Sequence, residues 1–360
     1  MLNIGQLIMT GISGLTITEE EKKFIESENI GGVILFAHNF ESPAQLAELV
    51  NSIQVLRKEY PLFIAVDHEG GRIMRFKKYF TQFPAMAKIA KIGSPKICYT
   101  IHQIMAEELK SCGINLSFSP CCDVLSHPEN KVIGDRSFGT TPDEVARYAS
   151  SAIRGLQTNG VMACAKHYPG HGATNKDSHF SLPIVKMDGE KFWNQDVAPF
   201  VKAVKSRVEF VMTGHLIIEH LDATLPASLS QKILNLLRNE LRYSKIIICD
   251  DLEMKAVSDN YSVEEAAVMA LEAGTDIVLF KTINTAMKSY EHLQNALKTK
   301  RLKNTEINEK IERVMDCKIR NLKDYNPIYI PSISNKINSK STQIFLDDIN
   351  RKLTGTQSNH

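Results

Sequence analysis

The chain has 360 residues, 43% of them hydrophobic and 23% charged, enough apolar mass for one large barrel or two ordinary domains and too much for a disordered segment. Its 43 Lys and Arg against 41 Asp and Glu argue against a nucleic-acid binder built on a basic face and against an anchor to anionic lipid, and no run of apolar residues is long enough to span a bilayer. Seven cysteines, an odd number without Cys-x-x-Cys spacing, point to buried reduced thiols in a cytoplasmic chain, and Met1 to Gly14 lacks the basic start and long apolar stretch of a secretion signal.

In chain order, Leu7–Thr10 opens as a buried strand, and Thr18 with Glu21 has the spacing of a capping box for the helix that follows. Gly32–Phe36 is the second strand; Ser42-Pro43 then starts a helix whose Leu46, Leu49, Val50 and Ile53 share one face. Leu62–Asp67 and Asn115–Ser119 are the third and fourth strands, and Thr140-Thr141-Pro142 starts another helix. Val161–Lys166, Glu209–Thr213 and Lys245–Asp250 follow as strands. Ser262 caps toward Glu265, Gly274 stops that helix, and Asp276–Phe280 is the eighth strand. A last helix runs from Thr305 to Leu322. Strand and helix alternating eight times predict an α/β fold, a single-domain (β/α)8 TIM-type barrel over residues 1–325. The rival, a doubly wound open sheet, lacks its phosphate-binding signal, since Gly70-Gly71 follows a strand without a G-x-G-x-x-G. Residues 326–360, with Asn326-Pro327, Pro331 and a Ser/Asn/Lys-rich stretch, are expected to be a polar C-terminal tail, partly packed and otherwise disordered.

Reactive groups of such a barrel lie at the C-terminal ends of its strands. Asp67, Asp123, Lys166-His167, His215, Asp250-Asp251 and Lys281 fall there, a ring of ionisable groups that a purely structural barrel does not need. The loop after the fifth strand, Lys166 to His179, concentrates three His, one Asp and two Gly. Two chemistries suit it. A metallohydrolase would draw ligands from His167, His171, Asp177 and His179, but helical His spacing is missing. Acid–base work suits Asp177 and His179, which lie two apart, so that the carboxylate fixes the tautomer and raises the basicity of the imidazole. Gly170 and Gly172 are the expected hinges of this loop. The seventh strand end supplies a nucleophile candidate; of Asp250 and Asp251, one should face the pocket and the other a neighbouring loop.

These motifs resemble glycoside hydrolase family 3, and within it the single-domain β-N-acetylhexosaminidases of bacterial peptidoglycan recycling. The resemblance runs from about Gly5 to the helix before residue 325 and is carried by Lys166-His167-Tyr168-Pro169-Gly170-His171-Gly172 with Asp177-Ser178-His179, by Asp67-His68-Glu69-Gly70-Gly71-Arg72 with Arg75, by Gly134-Asp135-Arg136-Ser137-Phe138-Gly139, by Asp250-Asp251-Leu252 with Met254-Lys255, and by Pro226-Ala227-Ser228-Leu229-Ser230. It implies a retaining mechanism with Asp250 as nucleophile and His179 as acid/base, paired with Asp177. Asp67, Arg75, Arg136, Lys166 and His167 would bind the N-acetylglucosamine, the three cations keeping the pocket positive. The implied substrate is a terminal β-linked N-acetylglucosamine on a saccharide or muropeptide, such as N-acetylglucosaminyl-1,6-anhydro-N-acetylmuramic acid with or without a stem peptide. No cofactor, metal, nucleic acid or membrane is implied, and the chain is expected to act as a cytoplasmic monomer. The alternatives are a phosphorylase that uses the same Asp and His, and a silent sugar-binding barrel. His68, Tyr168 and Cys249 depart from the commoner Gln, Phe and Ser of the family, and none of them removes a reacting group.

Overall fold

The computed structural model describes residues 2–174 and 182–357. Its centre is eight parallel strands: β1 (Ile8–Thr10), β2 (Gly32–Leu35), β3 (Phe63–Val66), β4 (Leu116–Ser117), β5 (Met162–Tyr168), β6 (Phe210–Thr213), β7 (Ile246–Cys249) and β8 (Val278–Phe280). Each overlaps one of the eight expected segments. Neighbours run β7-β6-β5-β4-β3-β2-β1-β8, and the two ends meet through a bridge between Ile248 and Ile277, where the Asp276 N–H donates to the Ile247 carbonyl at 2.8 Å. Closure removes the sheet edges. Helices cover the outer face and side chains fill the inner one, which explains why these strands read as unbroken apolar runs rather than as alternation.

The helices begin where their caps stand. Thr18 accepts the Glu21 N–H while the Glu21 side chain accepts the Thr18 N–H, closing a capping box over Glu19–Ser27. Ser42, Ser94, Thr141 and Ser262 each accept an N–H three residues on, and Pro43, Pro95 and Pro142 occupy first helical positions. Gly274, at φ +121°, ends helix Val263–Ala273. Helix Asn304–Leu322 packs under the barrel, where the buried Lys318 donates to the Gln6 side chain at 2.8 Å and lies over the Phe63 ring.

The C-terminal segment carries a turn, Ile330–Ser332, and a helix, Lys340–Gln357, that its polar composition does not announce. Phe345, Leu346, Ile349 and Leu353 turn toward the core. The Asn338 N–H donates to Glu108 at 2.9 Å, and Asn51 holds the Ile328 N–H at 2.8 Å, so this segment is tied to two outer helices. No helix among the described residues is long and apolar enough to cross a membrane.

The loops at the C-terminal ends of the strands build the site, and two glycines bring them together. Gly172 lies against the chain after β4, so close that a methyl group on it would fall 1.6 Å from the Val124 carbonyl oxygen. Gly170, at φ +131°, lies against Asp196, whose Cβ would be 2.6 Å from such a methyl group. Both were expected as hinges; the structure shows them as points of close approach, where a side chain would push two loops apart. Gly172→Ala should therefore destabilise the fold by about 3 kcal/mol, because a backbone carbonyl cannot yield as a flexible side chain can. Urea unfolding of the two proteins measures this, and equal midpoints would show that the loop relaxes freely.

Candidate active site

Asp67, at the end of β3, accepts a hydrogen bond from Lys166 of β5 at 2.8 Å and another from Arg75 at 2.8 Å. Two residues on, Glu69 receives the fork of Arg136, Nε at 2.9 Å and Nη2 at 2.8 Å, and lies 2.7 Å from the same Lys166 ammonium. Glu69, Arg136 and Lys166 are buried and Asp67 nearly so. Burial alone would raise the two carboxyls; the charges of Lys166 and Arg75 overcome it at Asp67, holding that group far below the usual carboxylate range. Those of Arg136 and Lys166 bring Glu69 down to about 2. Burial likewise works against the charge of Lys166, but Asp67 and Glu69 raise it above the ordinary lysine range.

His167 links this network to a second one. Its Nε2 faces Arg136 at 3.4 Å, and its Nδ1 meets the Asp123 carboxylate at 2.8 Å. Asp123 also accepts the His171 N–H at 2.7 Å, the His167 N–H at 3.2 Å and the Cys121 thiol at 3.2 Å. A carboxylate–imidazole contact of this kind fixes the tautomer, with Nδ1 as donor and Nε2 as acceptor toward Arg136. Cys121, Asp123 and His167 bring three donor atoms within 4.8 Å of one another. The carboxylate is committed to its four donors, and burial, then the Asp123 charge, push the Cys121 thiol well up, so the trio is a hydrogen-bonded cluster with a protonated thiol. Of the metal-ligand set considered from sequence, the His167 and His171 rings lie 6.0 Å apart, while Asp177 and His179 lie outside the described residues.

Asp250 follows β7. Its N–H donates to the Thr213 carbonyl at 2.9 Å and its carboxylate accepts the Asp251 N–H at 2.8 Å. Burial is the largest influence and would raise it; His167, His215, the Asp251 N–H and Lys166 outweigh burial and hold it below its ordinary value. Asp251 points the other way, accepting from the backbone of Glu253 and of Lys281 after β8, as alternation along an extended chain requires. Burial and the neighbouring Glu253 and Asp250 raise it to about 7. His215 is fixed between the Ser228 hydroxyl at 2.7 Å and the Asp251 carbonyl at 3.0 Å, which gives the Pro226–Ser230 motif a structural purpose.

The structure thus brings Asp67, Arg75, Arg136, Lys166 and His167 into one network with Asp250 beside it. Two members had no role assigned to them from sequence. Glu69 and Asp123 are the carboxylates that hold Arg136 and His167; Glu69 stands within a motif and Asp123 in the ring of strand-end groups, and the signal was that buried cations require buried acids. One expectation is corrected. Among the described residues, three cations, Arg75, Arg136 and Lys166, meet four carboxylates, Asp67, Glu69, Asp123 and Asp250, so these groups together do not make the wall positive. Each cation is matched to an acid, and the Asp250 charge is favoured by His167, His215, the Asp251 N–H and Lys166 individually.

A family model for the glycosyl hydrolase family 3 N terminal domain matches residues 2–317. The chain is 40% identical over 279 residues to a beta-hexosaminidase of Nitrosomonas eutropha, covering 76% of this chain and 79% of the relative. With a beta-hexosaminidase of Neisseria meningitidis serogroup C it shares 39% identity, covering 76% and 77%. Among solved structures, a family 3 beta-N-acetylglucosaminidase from a Paenibacillus species superposes with a TM-score of 0.90 at 33% identity, over 97% of this chain and 68% of that one. A fungal multi-domain family 3 beta-N-acetylglucosaminidase superposes with a TM-score of 0.93 at 31% identity, over 96% of this chain; the chain spans 42% of its length. Barrel, strand-end residues and kinship agree, and the chain belongs to glycoside hydrolase family 3.

Proposed function

We propose that this chain is a retaining β-N-acetylhexosaminidase that hydrolyses a non-reducing terminal β-linked N-acetylglucosamine, with Asp250 as nucleophile and His179, paired with Asp177, as acid/base. The observation that carries the reading is a half-buried carboxylate, Asp250, held ionised at the C-terminal rim of the barrel beside the Asp67–Lys166–Glu69–Arg136–His167 network. In the first step an Asp250 oxygen bonds to the anomeric carbon as the glycosidic C–O bond breaks, and His179 gives its proton to the departing oxygen. In the second step water attacks the anomeric carbon, its proton passes to His179, and Asp250 is released. Asp67 and His167 offer acceptors to sugar hydroxyls. Arg75, whose guanidinium is partly exposed beside Asp67, offers a donor.

The reading extends to the substrate as a peptidoglycan fragment, with or without a stem peptide, on the strength of the sequence motifs, and to a cytoplasmic monomer. Seven buried free cysteines suit a reducing compartment.

Asp250→Asn should lower kcat by three or more orders of magnitude while the unfolding midpoint stays close to that of the parent. Mass spectrometry of the protein trapped with a fluorinated N-acetylglucosamine donor should place the sugar on Asp250; a label elsewhere removes the assignment. His179→Ala should slow a disaccharide by about 10²–10⁴-fold and an activated aryl glycoside much less. Equal losses on both count against the acid role. With phosphate added, free N-acetylglucosamine should remain the product, and a sugar 1-phosphate would establish the phosphorylase alternative. On the acid side, kcat/KM should fall only as pH drops through the lowered Asp250 value, below the usual carboxylate range, because the nucleophile must be ionised. A fall that begins near neutrality would assign another base.

A further inference from the structure

Asp196 lies in the π-helical turn Trp193–Val197, between the short helix Gly189–Phe192 and the helix Ala198–Lys205. It is fully buried, and neither carboxyl oxygen has a hydrogen-bond partner among the described residues. An ionised carboxylate in that state is costly, and buried acids normally find donors. Asp123, equally buried and close enough to repel it, has four. Asp196 stands directly behind Gly170: a methyl group on that glycine would lie 2.6 Å from the Asp196 Cβ and 3.2 Å from its Oδ1. The charges that bear on Asp196 are Asp123, on the chain after β4, and the exposed Lys191, one turn earlier on its own helical segment; the loop in front presents glycine backbone. Burial, then the Asp123 charge, push the Asp196 carboxyl up to about 7, with Lys191 pulling the other way.

We propose that Asp196 is a positioning residue for the glycosidase reaction: as a neutral acid it is the seat for Gly170 and the loop from His167 to Thr174, and loss of its proton unseats that loop and, with it, the Asp123–His167 pair. This rests on the reading that His167 lies on the sugar-binding wall. A neutral carboxyl tolerates the dry contact with Gly170. A carboxylate there must draw in water or donors and is repelled by Asp123, and the piece able to give way is the glycine loop. The stability consequence has a definite sign. The folded-state value is raised above the ordinary carboxylate value, so the folded protein loses stability as pH rises from that ordinary value through the raised one, and the deficit is complete above neutrality.

Asp196→Asn keeps the shape and cannot ionise. Relative to wild type it should raise Tm by about 3 °C or more at pH 8.5 and by much less at pH 5. With an aryl β-N-acetylglucosaminide, and each protein normalised to its own value at pH 6, kcat/KM at pH 8.5 should be about threefold or more above wild type. Superimposable pH profiles together with a Tm difference that does not change with pH overturn the proposal, since a merely structural acid predicts that result. Wild-type hydrogen exchange gives a check that needs no variant. After correction for intrinsic rates, amides of residues 168–174 should lose protection between pH 6 and 8.5, and unchanged protection also overturns it. These readouts need only glycosidase turnover. A trapped sugar on a residue other than Asp250 would sink the nucleophile assignment and leave this one standing, whereas a His167→Ala variant with unchanged KM would remove only the link to the sugar wall.

Discussion

Lys166 donates from β5 to Asp67 at 2.8 Å and lies 2.7 Å from Glu69, and through these two carboxylates it joins Arg75 to Arg136. Three segments of the barrel, the loops after β3 and β4 and the end of β5, are joined through one ammonium group that water scarcely reaches. Taking such charges out of water is expensive, and well-packed apolar side chains of similar volume would commonly serve stability as well or better. What the network provides instead is fixed direction. Its acceptors and donors are oriented before any ligand arrives, so hydroxyl groups that replace water in the pocket meet partners that need not reorganise. Removing one member strands the others, and the arrangement is therefore cooperative.

The two carboxyls after β7 show how little sequence distance separates opposite chemistries. Asp250 and Asp251 are adjacent and both substantially enclosed, yet the first is lowered and the second raised to about 7. The alternation of an extended chain turns Asp250 toward His167, His215 and Lys166, and turns Asp251 toward Glu253 and the loop after β8. One becomes a stable anion at neutral pH and the other a partly protonated brace. Environments that push neighbouring titratable groups apart are the means by which a site assigns roles to chemically identical side chains.

The barrel was legible because its strands are buried on both faces. Ile246–Cys249 and Phe63–Val66 are continuous apolar runs that nothing at the surface would tolerate, and their bounding turns fall within a residue or two of the observed ends. The caps at Thr18, Ser42, Thr141 and Ser262 were equally readable, since each acts within three residues. The helix Lys340–Gln357 was not read, although Phe345, Leu346, Ile349 and Leu353 have helical spacing; the Ser/Asn/Lys-rich approach to it outweighed five turns of weak periodicity. At the site, motif residues announced themselves, but pairing did not. That Arg136 turns its fork on Glu69, leaving a nearly balanced pocket, depends on loops from β3 and β4 meeting in space, which no spacing encodes.

Asp196 marks the limit of that legibility. In the sequence it is one acid in the stretch Trp193–Pro199, indistinguishable from a solvated helix residue. In the fold, among the described residues, its carboxyl is buried without a hydrogen-bond donor, unlike the other acids of this face that the site uses. Asp67, Glu69, Asp123 and Asp250 are each matched by donors or cations, and their values fall below the ordinary one as a result. The fold therefore has the means to compensate a buried acid and applies them at Asp123, whose charge Asp196 feels. A neutral amide or an aliphatic side chain would fill the space behind Gly170 without electrostatic cost, so filling space does not account for a carboxyl there. What a carboxyl adds is a proton that can leave, and its position behind Gly170, on the loop that carries His171 and follows His167 of β5, puts that proton where its loss would be felt by the sugar-binding wall.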